Sequence, residues 1–138
     1  MFKTQQDIED DFYNALKNSA LVNAVNGKLY KKDLRPINSK QEDITLIVTT
    51  IDSAQWQQGV ITLLIYVNGI DLYQSQLVPD KKRIKELSTL TLSILDELKA
   101  NMTNYDGFYF FQAVTNDFDV ETEQWFISAK IGFRYLTI

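Results

Sequence analysis

The chain has 138 residues, 45% hydrophobic and 23% charged, which fits a single folded domain that needs neither disulfide nor metal for stability. It contains no Cys and no His, which removes thiolate nucleophiles, the usual zinc and haem ligands and the neutral-pH proton shuttle. A net charge of −4 argues against a generic nucleic-acid binder, because neutralising phosphates needs a basic excess.

In chain order, residues 4–18 predict a first helix. Thr4 is placed to cap it, with Asp7 three residues on as in a capping box. Ile8, Phe12 and Ala15 or Leu16 fall on one face at helical spacing. Asp7, Glu9, Asp10 and Asp11 sit near its start, where the helix dipole favours negative charge. Met1-Phe2-Lys3-Thr4 runs directly into polar residues, so no leader is expected. Leu21–Val25 is a short apolar piece that ends at Asn26-Gly27, a turn signal. Lys28-Leu29-Tyr30 is a candidate start of a short strand. Residues 31–40 are polar, contain Pro36 and are expected to run along a surface.

Residues 44–51 (ITLIVTTI) are β-branched and predict a strand. Residues 52–59, including Trp56, predict a loop. Residues 60–67 (VITLLIYV) predict a second strand, apolar on both faces and therefore expected to be covered on both. The run is far too short to span a bilayer, so no membrane association is expected. Residues 70–78 show no clear period. Pro79 opens a long helix over about 80–101, with Ile84, Leu87, Thr91, Ile94 or Leu95, and Leu98 on one stripe. Leu90 and Leu92 lie off that stripe and predict contact on a second side.

Residues 107–114 predict a third strand and residues 115–122 an acidic turn. Residues 123–137 predict the best-patterned strand of all. Trp125, Ile127, Ala129, Ile131, Phe133 and Tyr135 alternate with Phe126, Ser128, Lys130, Gly132, Arg134 and Leu136. The first set should be core, closed over by the long helix. The second, with Lys130 and Arg134, should face solvent or a neighbour. The expectation is one α+β domain over residues 1–138: a mostly antiparallel sheet of four main strands with two helices packed on it.

No catalytic motif is visible: there is no GxSxG, no phosphate-binding glycine-rich loop and no HExxH. Asp117, Asp119, Glu121 and Glu123 invite a calcium reading but lack the glycine and spaced Glu of the helix-loop-helix motif. No catalytic, cofactor or metal residues are therefore assigned. Lys81, Lys82, Arg83 and Lys85 are more informative. Cations in a helix's first turn oppose its dipole, so they suit contact with something acidic. The 117–123 turn of a second copy is one candidate. Trp56, in a polar loop, either folds back or anchors an interface, a role in which Trp is enriched.

This arrangement resembles the tail-terminator and tail-completion proteins of long-tailed bacteriophages and prophages. The resemblance covers nearly the whole chain as an order of elements. It includes an N-terminal helix, Asn26-Gly27-Lys28-Leu29-Tyr30, two β-rich runs, a helix opening at Pro79-Asp80 and a closing hairpin. Its most specific part is the acidic turn, Gln124-Trp125 and the alternation of Ala129, Ile131, Phe133 and Tyr135. One departure is that such proteins often have Pro directly before the first long strand, whereas Pro36 lies eight residues before Ile44.

The resemblance implies a structural, non-catalytic role. Such proteins form a ring, usually a hexamer, that caps the tail tube and joins it to the head connector. The partners implied are further copies of itself and the tail-tube and connector proteins. The implied location is the host cytoplasm when made and the virion tail once assembled. A ring needs two different surfaces on each copy, which suits separate basic and acidic clusters. The alternatives are a small protein- or peptide-binding module using Trp56 and the aromatic strand, and a small α+β enzyme with a concave polar pocket.

Overall fold

Two long strands set the architecture. In the computed structural model, which describes residues 2–51, 56–72, 76–110 and 113–136, β3 (Trp56–Val67) and β8 (Gln124–Leu136) run antiparallel. They stay in register from Trp56↔Leu136 to Val67↔Trp125. β2 (Ile44–Ile51) pairs antiparallel with the other side of β3. β1 (Leu29–Lys31) forms the edge beyond β2 and runs parallel to it. The far side of β8 is shared: β6 (Tyr105–Phe110) pairs with its C-terminal part and β7 (Thr115–Asp119) with its start. β4 (Ile70–Asp71) and β5 (Leu77–Val78) make a separate small ladder.

The helices are α1 (Gln5–Leu16), α2 (Ala20–Ala24) and α3 (Lys81–Asn101). Thr4 caps α1: its hydroxyl accepts from the Asp7 N–H at 3.0 Å, and the Asp7 carboxylate accepts from the Thr4 N–H at 2.9 Å. This reciprocal box also holds the Asp7 carboxyl below its usual range, chiefly through the Thr4 backbone N–H. Asp80 caps α3, accepting from the Arg83 N–H at 3.1 Å, so Pro79 stands just outside the helix. The buried stripe of α3 is Ile84, Leu87, Thr91, Ile94 and Leu98, as its spacing predicts. Of the two leucines off the stripe, Leu90 is partly buried against the core, as expected, whereas Leu92 is exposed and makes no second contact.

The α+β expectation holds, but the sheet has six strands and is mixed. Four antiparallel strands and two helices undercount it for identifiable reasons. β1 is parallel because residues 32–43 carry the chain back past the strand before β2 begins. β7 lies where an acidic turn is expected. Asn116 and Phe118 share a face with Ile127 and Trp125, while Thr115, Asp117 and Asp119 share the opposite one, so this is a strand whose outer face is charged. β7 is the hairpin partner of β8, and β6 continues the same edge further along. β6 starts at Tyr105 and ends at Phe110; residues 111 and 112, part of the expected 107–114 strand, lie outside the described ones. β3 starts at Trp56, earlier than expected, because β8 extends far enough to pair with it.

The core lies on one face of the sheet. Ile127, Ala129, Ile131 and Phe133 of β8 are buried, beside Ile61, Leu63 and Ile65 of β3 and Ile44, Leu46 and Val48 of β2. α1 closes this face as much as α3 does. The Phe12 ring lies 5.1 Å from that of Phe133, 5.3 Å from Tyr105 and 6.1 Å from Phe108. The second face of β3 differs from expectation: Val60, Thr62, Leu64 and Tyr66 are only half-buried. That of β8 is as open as expected, with Phe126, Ser128, Lys130 and Arg134 half-buried. Among the described residues no helix covers them. Gly132 is buried on this face because the Tyr109 ring lies where its Cβ would be, and Thr45 and Gln124 are buried on it too.

Candidate functional site

Register places several loops at one end of the sheet. Val67 pairs with Trp125, Phe118 pairs with Trp125 and Asp119 with Gln124, so the β3–β4 turn and the β7–β8 turn meet there. Ile44 pairs with Ile65, which brings residues 32–43 to the same end. α3 also begins here, directly after β5.

These loops are tied together by buried polar groups. The Asp43 carboxylate is fully buried and accepts from Arg35 Nε at 2.9 Å, from the Lys28 N–H at 3.0 Å and from the Ser39 hydroxyl. Arg35 Nη2 also donates to Gln124 Oε1 at 2.8 Å and to the Gln41 carbonyl at 3.2 Å. Gln124 Nε2 donates to Asn68 Oδ1 at 2.9 Å, and Asn68 Nδ2 donates to the Lys40 carbonyl at 2.8 Å. Lys40 Nζ reaches the Thr122 carbonyl. The Arg35 guanidinium also stacks 3.7 Å over the Tyr66 ring. Burial pushes the Tyr66 hydroxyl above its ordinary pKa, and the nearby arginine opposes that shift. Gly27 is required beside this centre, because a Cβ there would overlap the Asp43 carboxylate.

The residue before Asp43 repeats the device on the helix side. Glu42 receives two hydrogen bonds from Arg83, Nε at 2.8 Å and Nη2 at 2.7 Å. Arg83 also donates to Glu86 at 2.9 Å and to the Ala24 carbonyl at 2.6 Å. Glu42's hydrogen bonds, with its charge and that of Glu86, hold the guanidinium pKa above its ordinary value. Neighbouring acids on an extended chain point to opposite sides. Glu42 therefore fastens α2 and α3, while Asp43 fastens the loops. Neither role is assigned in the sequence reading, where Glu42 and Asp43 fall between the polar connection of residues 31–40 and the strand at 44–51. The signal available was two adjacent acids directly before a β-branched run.

Exposed apolar side chains collect at this braced end. Leu34, Ile37, Ile70, Leu72, Leu77, Phe118 and Val120 are seven of the ten large hydrophobics exposed among the described residues. Ile37 is 93% exposed and Val120 77%. Isolated exposed apolar residues are unremarkable, whereas this end gathers several of them on neighbouring loops. The signal for it was Leu34 and Ile37 inside a segment otherwise rich in Lys, Asn and Ser.

The sequence-predicted residues separate into groups. Arg83 is committed within the chain. Lys81, Lys82 and Lys85 are exposed and make no ion pair among the described residues. Asp117, Glu121 and Glu123 are exposed and Asp119 half-buried, likewise without an ion pair. Among the described residues, Asp117 and Asp119 accept only from the nearby Phe118 and Glu121 N–H groups. Basic and acidic clusters thus share one end of the molecule. The Trp56 side chain lies outside the described residues; its backbone belongs to β3, not to a loop.

The opposite end carries a cleft of about 540 Å³ between α1 and the α3–β6 turn, lined by Asn14, Asn18, Asn101 and Asn104 with Lys3, Asp11 and Tyr105. The Tyr105 hydroxyl donates to Asp11 at 2.7 Å, and Lys3 Nζ donates to the same carboxylate at 2.6 Å. Burial first, and then Asp11, push the Tyr105 hydroxyl far above its ordinary pKa. Among the described residues no cluster of three or more acids is placed to hold a metal ion, and no helix is long and apolar enough to cross a membrane. Compared with known proteins, the chain matches no family model and no curated protein.

Proposed function

We propose that the chain is a non-catalytic assembly protein of the tail-terminator kind, whose copies join into a ring that caps a phage-like tail tube and meets the head connector. The observation that carries self-association is the braced loop end, where most of the exposed apolar side chains gather. A surface fixed before binding loses less conformational freedom on association, so it suits a protein that acts by docking. The tail-specific part of the reading rests on the order of elements and on the closing hairpin. In this reading the exposed Ile37 and Leu72 belong to the contact surface, and the half-buried second face of the sheet supplies further area.

Light scattering and negative-stain imaging over a concentration series, alone and with isolated tail tubes, test it. The expected result is closed rings, or tubes with capped ends. Ile37→Ser with Leu72→Ser should abolish assembly and leave the folded state within about 0.5 kcal/mol, as for other surface changes. A chain that stays monomeric alone and leaves tube ends bare would sink the reading.

A further inference from the structure

Among the described residues Lys81, Lys82 and Lys85, and Asp117, Asp119, Glu121 and Glu123, make no ion pair, and the two groups have opposite charge. Between the first turns of α3 and strand β7 lies a cleft of about 340 Å³. Pro79, Ile84 and Trp125 give it apolar walls, and Lys81 and Lys85 line it beside them. Phe118 packs against Trp125 with ring centroids 4.6 Å apart, which fixes that wall. The lysines, with Lys82, stand in the early turns of a helix whose backbone already presents positive charge there. Asp80 offsets part of that cost as the cap, and the carboxylates of Glu42 and Glu86 are engaged by Arg83.

The β7–β8 turn has the inverse character. Val120 projects from it, with Asp119 and Glu121 on either side and Glu123 closing the turn. The turn is held in shape. Asp119 Oδ1 accepts from the Glu121 N–H at 3.0 Å, Glu123 takes a left-handed φ of 56°, and Lys40 reaches the Thr122 carbonyl. It is an apolar knob ringed by acid, and the cleft is an apolar socket lined by lysine. β7 keeps them apart within one chain: it leaves the cleft at Asn116 and reaches the knob four residues later, roughly 13 Å away at strand rise.

We propose that the Val120 turn of one copy seats in the α3–β7 cleft of a second copy. Val120 packs against Trp125 and Ile84, while Glu121 and Glu123 meet Lys81 and Lys85. The occupant is a second copy because the chain itself carries the matching acids, unpaired and exposed. Knob and socket are different surfaces, as a head-to-tail contact requires. The inference rests on the reading of the chain as self-assembling and names the contact through which it assembles.

The chain has no Cys, so single cysteines can be introduced cleanly. A Val120→Cys chain is mixed with a Ser88→Cys chain, Ser88 lying in the cleft, and the pair is mildly oxidised. A Ser93→Cys chain, with its cysteine on the exposed side of α3, is the control. The mixed disulfide should form about tenfold faster at Ser88 than at Ser93, because docking raises the local concentration. Lys81→Glu with Lys85→Glu in the Ser88→Cys chain should remove that advantage, and Glu121→Lys with Glu123→Lys in the Val120→Cys chain should restore it. Circular dichroism verifies that each variant is folded. Equal rates at Ser88 and Ser93 overturn the inference, and mass measurement then reports whether rings form through another surface. A fast link at Ser88 in chains that never exceed two copies supports the contact and overturns the ring.

Discussion

The two ends of β8 are built on opposite principles. Near Phe133 the core face of the strand is sealed by rings: Phe12, Tyr105 and Phe108 close over it. Near Gln124 the interior is polar and the outside apolar. Arg35, Asp43, Gln124 and Asn68 occupy the middle, and Ile37, Leu72 and Val120 face outward. The first arrangement gives stability to one molecule. The second holds loops in place without consuming their apolar side chains, which stay exposed.

The contrast can be broken at either end. The largest expected effect is at the sealed end, where Phe12→Ala should cost about 4 kcal/mol by leaving a cavity among aromatic rings. Urea unfolding measures it, and a loss under about 1 kcal/mol would show that the ring cluster is not the anchor. Asp43→Ala should cost about 3 kcal/mol, because it leaves Arg35 and the Lys28 N–H without their buried partner. Amide exchange should then quicken across residues 32–43 while the α1–β8 contact stays protected. Uniform exchange across both ends would show that the network does not brace the loops separately.

The smallest effect sharpens the comparison through pH. Tyr105→Phe should cost about 1 kcal/mol for the lost hydrogen bond to Asp11. The Tyr105 hydroxyl is raised above its ordinary value of 10.0, so the unfolded chain releases this proton before the folded one does. Its contribution is fully present below pH 10 and is lost as the pH climbs beyond it. Wild type should therefore lose stability more steeply above pH 10 than Tyr105→Phe. Parallel alkaline profiles would remove Tyr105 from the account.

Elements with a repeating pattern were legible in the sequence. The Thr4 cap, the α3 stripe from Ile84 to Leu98 and the inward set from Ile127 to Phe133 all follow from periodicity and local hydrogen-bonding chemistry. β7 was hidden because Asp117 and Asp119 have weak strand preference; pairing with β8 makes it a strand. The braced end was hidden for a related reason. Nothing in a linear reading shows that Arg83 lies against Glu42, or that Arg35 spans Asp43 and Gln124, since these contacts exist only after the sheet forms. Grouping Arg83 with Lys81, Lys82 and Lys85 was natural by charge. Its forked guanidinium, unlike an ammonium, suits two-point attachment to a carboxylate, and the structure uses it so.

The β3–β8 pairing also constrains how the chain reaches this state. Its partners flank the whole of α3, so the central ladder is the slowest kind of contact to close. The β2–β3 hairpin can form early, but one long edge of β3 then waits for a strand near the far end of the chain. During synthesis that edge is a site for mispairing between nascent copies. A protein present in many copies would therefore benefit from keeping β3 short of partners for as little time as possible. Translation pauses between α3 and β8 should lower its folded yield.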